Sequence, residues 1–182
     1  MDRKRFTLGV KMKKIYIVTL FLITNAHAAT LTLSQGKVEF KAKGKPALIS
    51  IDGRSTLLSG TLKGEKNQFD GEFDLELASL DTGIELRDDH LKNKYLEVEK
   101  FPKAKLTFQN IKIEKNNEVN FKAKLTLHGH EKDVSGTALL NDENMLNADF
   151  KINLADFGIE IPSFQGITVA KEVRIMVQGT VK

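Results

Sequence analysis

From Val38 onward the chain alternates apolar and polar residues in segment after segment, the period of strands with one buried and one wet face. Val38, Phe40 and Ala42 share a face, as do Ala47, Ile49 and Ile51, and Leu58 and Leu62 continue the rule across Gly60. Phe69, Phe73, Leu75 and Leu77 alternate with Asp70, Glu72, Asp74 and Glu76. The later runs Ala104-Leu106-Phe108, Val119-Phe121-Ala123-Leu125-Leu127, Leu146-Ala148-Phe150-Ile152-Leu154 and Val173-Ile175-Val177 obey it too. Turn-forming residues punctuate them at Asp52-Gly53, Lys63-Gly64-Glu65, Asn116-Asn117, His128-Gly129 and Asn141-Asp142. About eight antiparallel strands with short connections and no βαβ rhythm predict an all-β domain, an up-and-down barrel or a sandwich.

Two features refine this picture. One strand breaks phase: from Ala104 its inward positions are even through Phe108 and odd at Ile111 and Ile113, so one extra residue near Gln109-Asn110 must be absorbed, as a β-bulge does. Such a bulge bends its strand, which suits a closing barrel. The second feature is the segment from about Gly83 to Leu96, which alone reads as a short helix. Asp81 or Thr82 can accept hydrogen bonds from its first free N–H groups, and Glu85, Asp88 and Asp89 suit its positive end. Ile84, Leu91 and Tyr95 lie near one face, and Leu96, Val98 and Phe101 carry the apolar contact onward.

The residues in and after this helix carry a family resemblance. Asp81-Thr82, then Arg87-Asp88-Asp89-His90-Leu91, Tyr95-Leu96, Phe101-Pro102 and Leu106-Thr107-Phe108 resemble the YceI-like family of polyisoprenoid-binding, lipocalin-like proteins. Leu125-Thr126-Leu127-His128-Gly129 is similar to that family's Leu-Thr-x-His-Gly hairpin, and Asp156-Phe157-Gly158-Ile159 to its late Asp-Phe-Gly-Ile turn. The likeness spans about residue 34 to the end. It departs in the first strand: where the family carries a His-Ser pair before Val-x-Phe and another His soon after, this chain reads Ser34-Gln35-Gly36-Lys37-Val38-Glu39-Phe40 and Lys41-Ala42-Lys43-Gly44. The resemblance implies an antiparallel eight-stranded lipocalin-like barrel with the helix at its mouth as a plug or lid. It also implies an apolar lipid or isoprenoid ligand, a quinone or polyprenyl chain, and no other cofactor.

Charge and composition locate the protein rather than its chemistry. Of the formal charge of +4, residues 1–28 supply six basic residues against one acid, leaving 22 basic and 23 acidic residues beyond them. The counterion-release argument for nucleic-acid binding therefore has no footing in the main domain. Met12-Lys13-Lys14, the apolar run from Ile15 to Ile23, and Ala26-His27-Ala28 read as a cleavable secretory leader, residues 1–28, with Met12 alone able to open it. The apolar run is shorter than the roughly 20 residues a membrane span needs. The expectation is export to the periplasm, a single domain over 29–182, and no stable membrane insertion. Leu31-Thr32-Leu33 and the charged strand edges leave a homodimer open.

The candidate site follows from inward parity plus the resemblance. Phe40, Phe73, Leu75, Phe108 and Phe121, with Leu125, Phe150 and Phe157, are expected to line the interior. Alternation cannot distinguish a barrel filled by side chains from one that holds a ligand. Arg87 and His90 have two readings: holding a ligand head group at the mouth, or satisfying loop carbonyls and packing as buried polar groups. His90, His128 and His130 are the histidines beyond the leader, and the His128/His130 pair flanks a turn glycine, poor spacing for a metal centre. Asp88 and Asp89 project from different sides of a helix and make a poor acid/base pair. With no cysteine, nucleophile elbow or phosphate-binding loop, the chain reads as a binding protein and not an enzyme. The rival is an envelope or stress interaction protein whose barrel interior is packed solid.

Overall fold

The computed structural model describes residues 28–45, 49–164 and 166–182. The leader expected over 1–28 falls outside them apart from Ala28, as does Ala47. The alternating segments form β1 (Ala29–Lys45), β2 (Ile49–Glu65), β3 (Gln68–Glu76), β4 (Lys103–Lys112), β5 (Glu118–Leu127) and β7 (Met145–Asn153), while β6 (His130–Leu140) is a strand the alternation did not single out. A two-residue β8 (Ser163–Phe164) then hairpins onto β9 (Ile167–Val181). Neighbours pair antiparallel in the order β1 to β7, then β9, and β1 pairs with β9. Eight long strands thus close into a barrel, with β8 appended at one end.

Each of the eight long strands has a paired strand on both sides, which resolves the alternatives of barrel and sandwich. The helix sits at one end of the barrel, together with the β5–β6 hairpin and a 3₁₀ turn, Leu154–Phe157. The other end carries the β2–β3, β4–β5 and β6–β7 turns, and Thr32 and Lys182 exchange backbone hydrogen bonds there.

The bulge lies where the phase switch put it. Phe69 pairs with Ile111 and Gly71 with Phe108, so Gln109 and Asn110 together face Asp70, whose carboxylate accepts the Asn110 N–H at 2.7 Å. Below the bulge β4 turns away from its other neighbour, and β4 and β5 pair only from Lys105↔Thr126 to Thr107↔Lys124. The His128-Gly129 turn is also as expected: both residues have positive φ, joining Leu127 to its partner His130.

Three further details differ from the sequence reading. Asp52-Gly53 is not a turn but lies inside β2, where Gly53 faces Phe40. The β2–β3 turn falls at Lys66 and Asn67, both at positive φ, just beyond Lys63-Gly64-Glu65. The helix is shorter and irregular: an α-helical turn, α1 (Glu85–Asp89), passes into a π-helical turn, His90–Tyr95. There the Leu96 N–H donates to the Leu91 carbonyl at 2.9 Å, the wide i→i+5 spacing that carries the buried Leu96 into the core.

Candidate functional site

Inward residues in the helix end of the barrel enclose a cavity of about 410 Å³, within the usual size range of small-molecule sites. Its walls include Phe40 and Ala42 from β1, Leu75 from β3, Leu125 from β5, Ile152 from β7 and Ile175 from β9. Leu91, Tyr95 and Leu96 cover it from the helix. The polar side chains that reach it, among the described residues, are Thr82, Arg87, His90, Tyr95 and Ser163, carried by the helix segment and β8. The result is an apolar shaft with a polar rim.

The rim also carries apolar side chains turned outward. Ile84 and Leu86 line the cavity yet are 53% and 55% exposed, so the apolar wall continues into solvent at the helix. Ile84 was expected on the packed face of the helix. It is instead the residue at which the helix begins, in extended backbone, and it stands at the mouth. Neither exposed residue was singled out as part of a binding site. The alternation Ile84-Glu85-Leu86, in a segment read as helical, was the available signal.

Arg87 and His90 both border the cavity, as expected. Arg87 is also structural: its Nε donates to the Thr82 hydroxyl at 2.9 Å, and a terminal nitrogen donates to the Thr82 carbonyl at 2.7 Å. The Asp88 carboxylate accepts from the Thr82 N–H at 2.8 Å and from its hydroxyl at 2.5 Å. Burial alone would raise the Asp88 pKa, but these two bonds and the charges of Lys92 and Arg87 outweigh it, holding the carboxyl below its ordinary value. Thr82 is therefore clamped from both sides, with one edge of the guanidinium committed to it. Replacing Arg87 by Ala is expected to lower stability by about 1–3 kcal/mol in ligand-free protein, the cost of leaving half-buried partners unsatisfied. Urea unfolding of the empty variant checks this; an unchanged midpoint with weakened ligand binding would show that Arg87 acts on the ligand alone.

Three of the residues expected to line the site lie outside the main cavity. Phe108 and Phe121 face inward but lie below the main cavity, against a second one of about 60 Å³ that Leu33, Leu62, Ile111 and Leu140 also border. Phe157 belongs to neither cavity. It is 1% exposed, packed in the 3₁₀ turn at the helix end of the barrel. Its carbonyl lies 3.1 Å from Nδ1 of His128, whose Nε2 is 2.9 Å from the Glu97 carboxylate. Hydrogen bonds from Lys100 and then His128 hold the Glu97 carboxyl below its ordinary value. His128 thus ties the segment after the helix to the 3₁₀ turn, and Glu97 is a partner that sequence reading missed. Among the described residues no group of three or more His, Cys, Asp or Glu is arranged to hold a metal.

A match to the YceI-like domain covers residues 30–181, nearly the whole described barrel. The chain belongs to the YceI-like family. UPF0312 proteins of Pseudomonas putida are 28–29% identical over 144 residues, 66% of this chain and 73% of theirs. A UPF0312 protein of Pseudomonas syringae is 33% identical over 99 residues, covering 49% of this chain and 52% of that relative. The barrel superposes on Burkholderia cenocepacia BcnA with a TM-score of 0.67 at 20% identity, covering 81% of this chain and 96% of BcnA. A polyisoprenoid binding domain from Saccharophagus degradans gives 0.61 at 14% identity, over 82% and 98% of the two chains. At such identities the structural likeness establishes the YceI-like barrel and nothing finer.

Proposed function

We propose that this YceI-like protein is a non-enzymatic carrier that holds one long apolar chain, of the polyisoprenoid type, in the helix-end cavity. The observation that carries the reading is the distribution of polarity: apolar side chains throughout the shaft, polar ones at the rim. An amphiphile fits such a site tail inward, with its head beside Arg87 and His90. Binding energy then comes from tail burial, at roughly 0.8 kcal/mol per CH₂. The likeness to the polyisoprenoid binding domain from Saccharophagus degradans supports the ligand class. The leader-like pattern ending in Ala26-His27-Ala28 supports a periplasmic setting.

The packed-barrel rival draws its support from the other half of the interior, where the space beside Phe108 and Phe121 shrinks to about 60 Å³. One preparation tests both. Protein purified from the periplasmic fraction is expected to have an intact mass beginning at Ala29 and to release one apolar molecule per chain into organic solvent. Protein with no extractable lipid, and with no uptake of a polyprenyl or quinone analogue, would point to the interaction protein instead. A retained leader would place it elsewhere.

A further inference from the structure

The two cavities are separated by a belt of phenylalanines. Phe73 meets Phe108 edge to face at 5.3 Å between ring centroids, Phe108 meets Phe121 at 5.9 Å, and Phe121 meets Phe150 at 6.0 Å. Interplanar angles of 69°, 65° and 80° give each contact the edge-to-face geometry that ring quadrupoles favour. The belt crosses four strands, β3, β4, β5 and β7. Phe73 and Phe150 border the upper cavity and the lower one alike, so they are the surface on which a tail would come to rest.

Phenylalanines of the belt stand opposite glycines across the strands. Gly60 is the register partner of Phe73, and Gly136 is the partner of both Phe121 and Phe150. A Cβ on Gly60 would stand 2.1 Å from the Phe73 ring and 2.3 Å from the Glu72 carbonyl oxygen. On Gly136 it would stand 2.6 Å from the Phe150 Cβ and 2.2 Å from the Asp149 carbonyl oxygen. Only glycine leaves the Phe73 ring and the Phe150 Cβ the room they occupy, and at both glycines a neighbouring backbone carbonyl approaches closely as well. The belt is therefore a built partition, written into the sequence as Phe–Gly pairs.

We infer that the Phe73–Phe108–Phe121–Phe150 belt is a floor that sets the length of apolar chain the barrel accepts. From Leu127 to Phe121, β5 descends about 20 Å at roughly 3.3 Å per residue. At a strand tilt of about 40° that is about 15 Å along the barrel axis. Carbons added within this depth are buried. Carbons added beyond it must emerge at the mouth, over the exposed Ile84 and Leu86, or displace a ring.

This inference rests on the carrier reading, and a homologous series of straight-chain alcohols from octanol to octadecanol tests the two separately. Affinity for the parent protein is expected to rise about fourfold per added carbon, the equivalent of roughly 0.8 kcal/mol, and to level off near dodecanol, whose extended length is about the depth of the shaft. In Phe73→Leu and Phe150→Leu, which keep an apolar side chain at each position, the break should move to longer alcohols. A parent curve that climbs unbroken to octadecanol would overturn the floor while leaving the carrier standing, and so would a break that neither leucine variant shifts. If no alcohol of any length binds, the carrier reading falls and the floor falls with it.

Discussion

Leu125→Trp is expected to reduce affinity for an apolar chain by roughly a hundredfold while leaving stability close to that of the parent. Leu125 stands in the wall of the large cavity, so the added indole has empty space to enter. It would take the place of about three or four ligand carbons, and at about 0.8 kcal/mol each that loss is about a hundredfold in affinity. Phe121→Trp, two turns of the pleat lower on the same strand, should behave in the opposite way. Phe121 is 5% exposed and wedged between Phe108 and Phe150, and overpacking there costs about 1–3 kcal/mol. Since the chain contains no other tryptophan, the introduced indole reports on its own surroundings by fluorescence. Urea unfolding gives the stability comparison. Equal destabilisation by the two substitutions would mean that the helix end of the barrel is as tightly filled as the belt.

That contrast between two residues of one strand marks what the amino-acid pattern reveals and where it stops. Alternation reports which face of a strand a side chain occupies, and on that count Phe121 and Leu125 are equivalent. It carries no information about height along the barrel axis, which depends on the register of every neighbouring pair. Only the pairings of Phe121 with Gly136 and of Gly136 with Phe150 place that ring in the belt. Where local chemistry decides the outcome, the sequence was more legible. The bulge at Gln109-Asn110 followed from a change of parity, and the His128-Gly129 turn from residues that tolerate positive φ. Asp52-Gly53 shows the converse: a turn-forming pair is overridden when a long neighbouring strand, here β1, keeps pairing through it. The helix was visible as a break in the strand period. Its π-helical turn was not, because that spacing answers to where Leu96 must be buried rather than to any preference of the residues within it.

Phe157→Ala is expected to cost the fold about 3–5 kcal/mol, the usual price of deleting a buried phenylalanine. Phe157, expected among the lining residues, falls out of phase with the even inward positions Phe150, Ile152 and Leu154. The chain leaves the sheet at Leu154, and the 3₁₀ turn points the ring into the core instead, away from both cavities. The Asn153 side chain starts that turn by accepting the Ala155 N–H, and Gly158, at φ 65°, ends it. With the Phe157 carbonyl held beside His128, the turn joins β7 to the segment that follows the helix. Little room for collapse is available around a residue fixed on so many sides, which favours the upper part of the range. Against a typical total of about 5–15 kcal/mol, a loss of that size should lower the urea midpoint markedly with little change in slope. Ligand affinity, measured under conditions where the variant remains folded, should stay near that of the parent. Near-parent stability combined with a clear loss of affinity would return Phe157 to the ligand's path, and the turn would then have to be counted as part of the cavity wall.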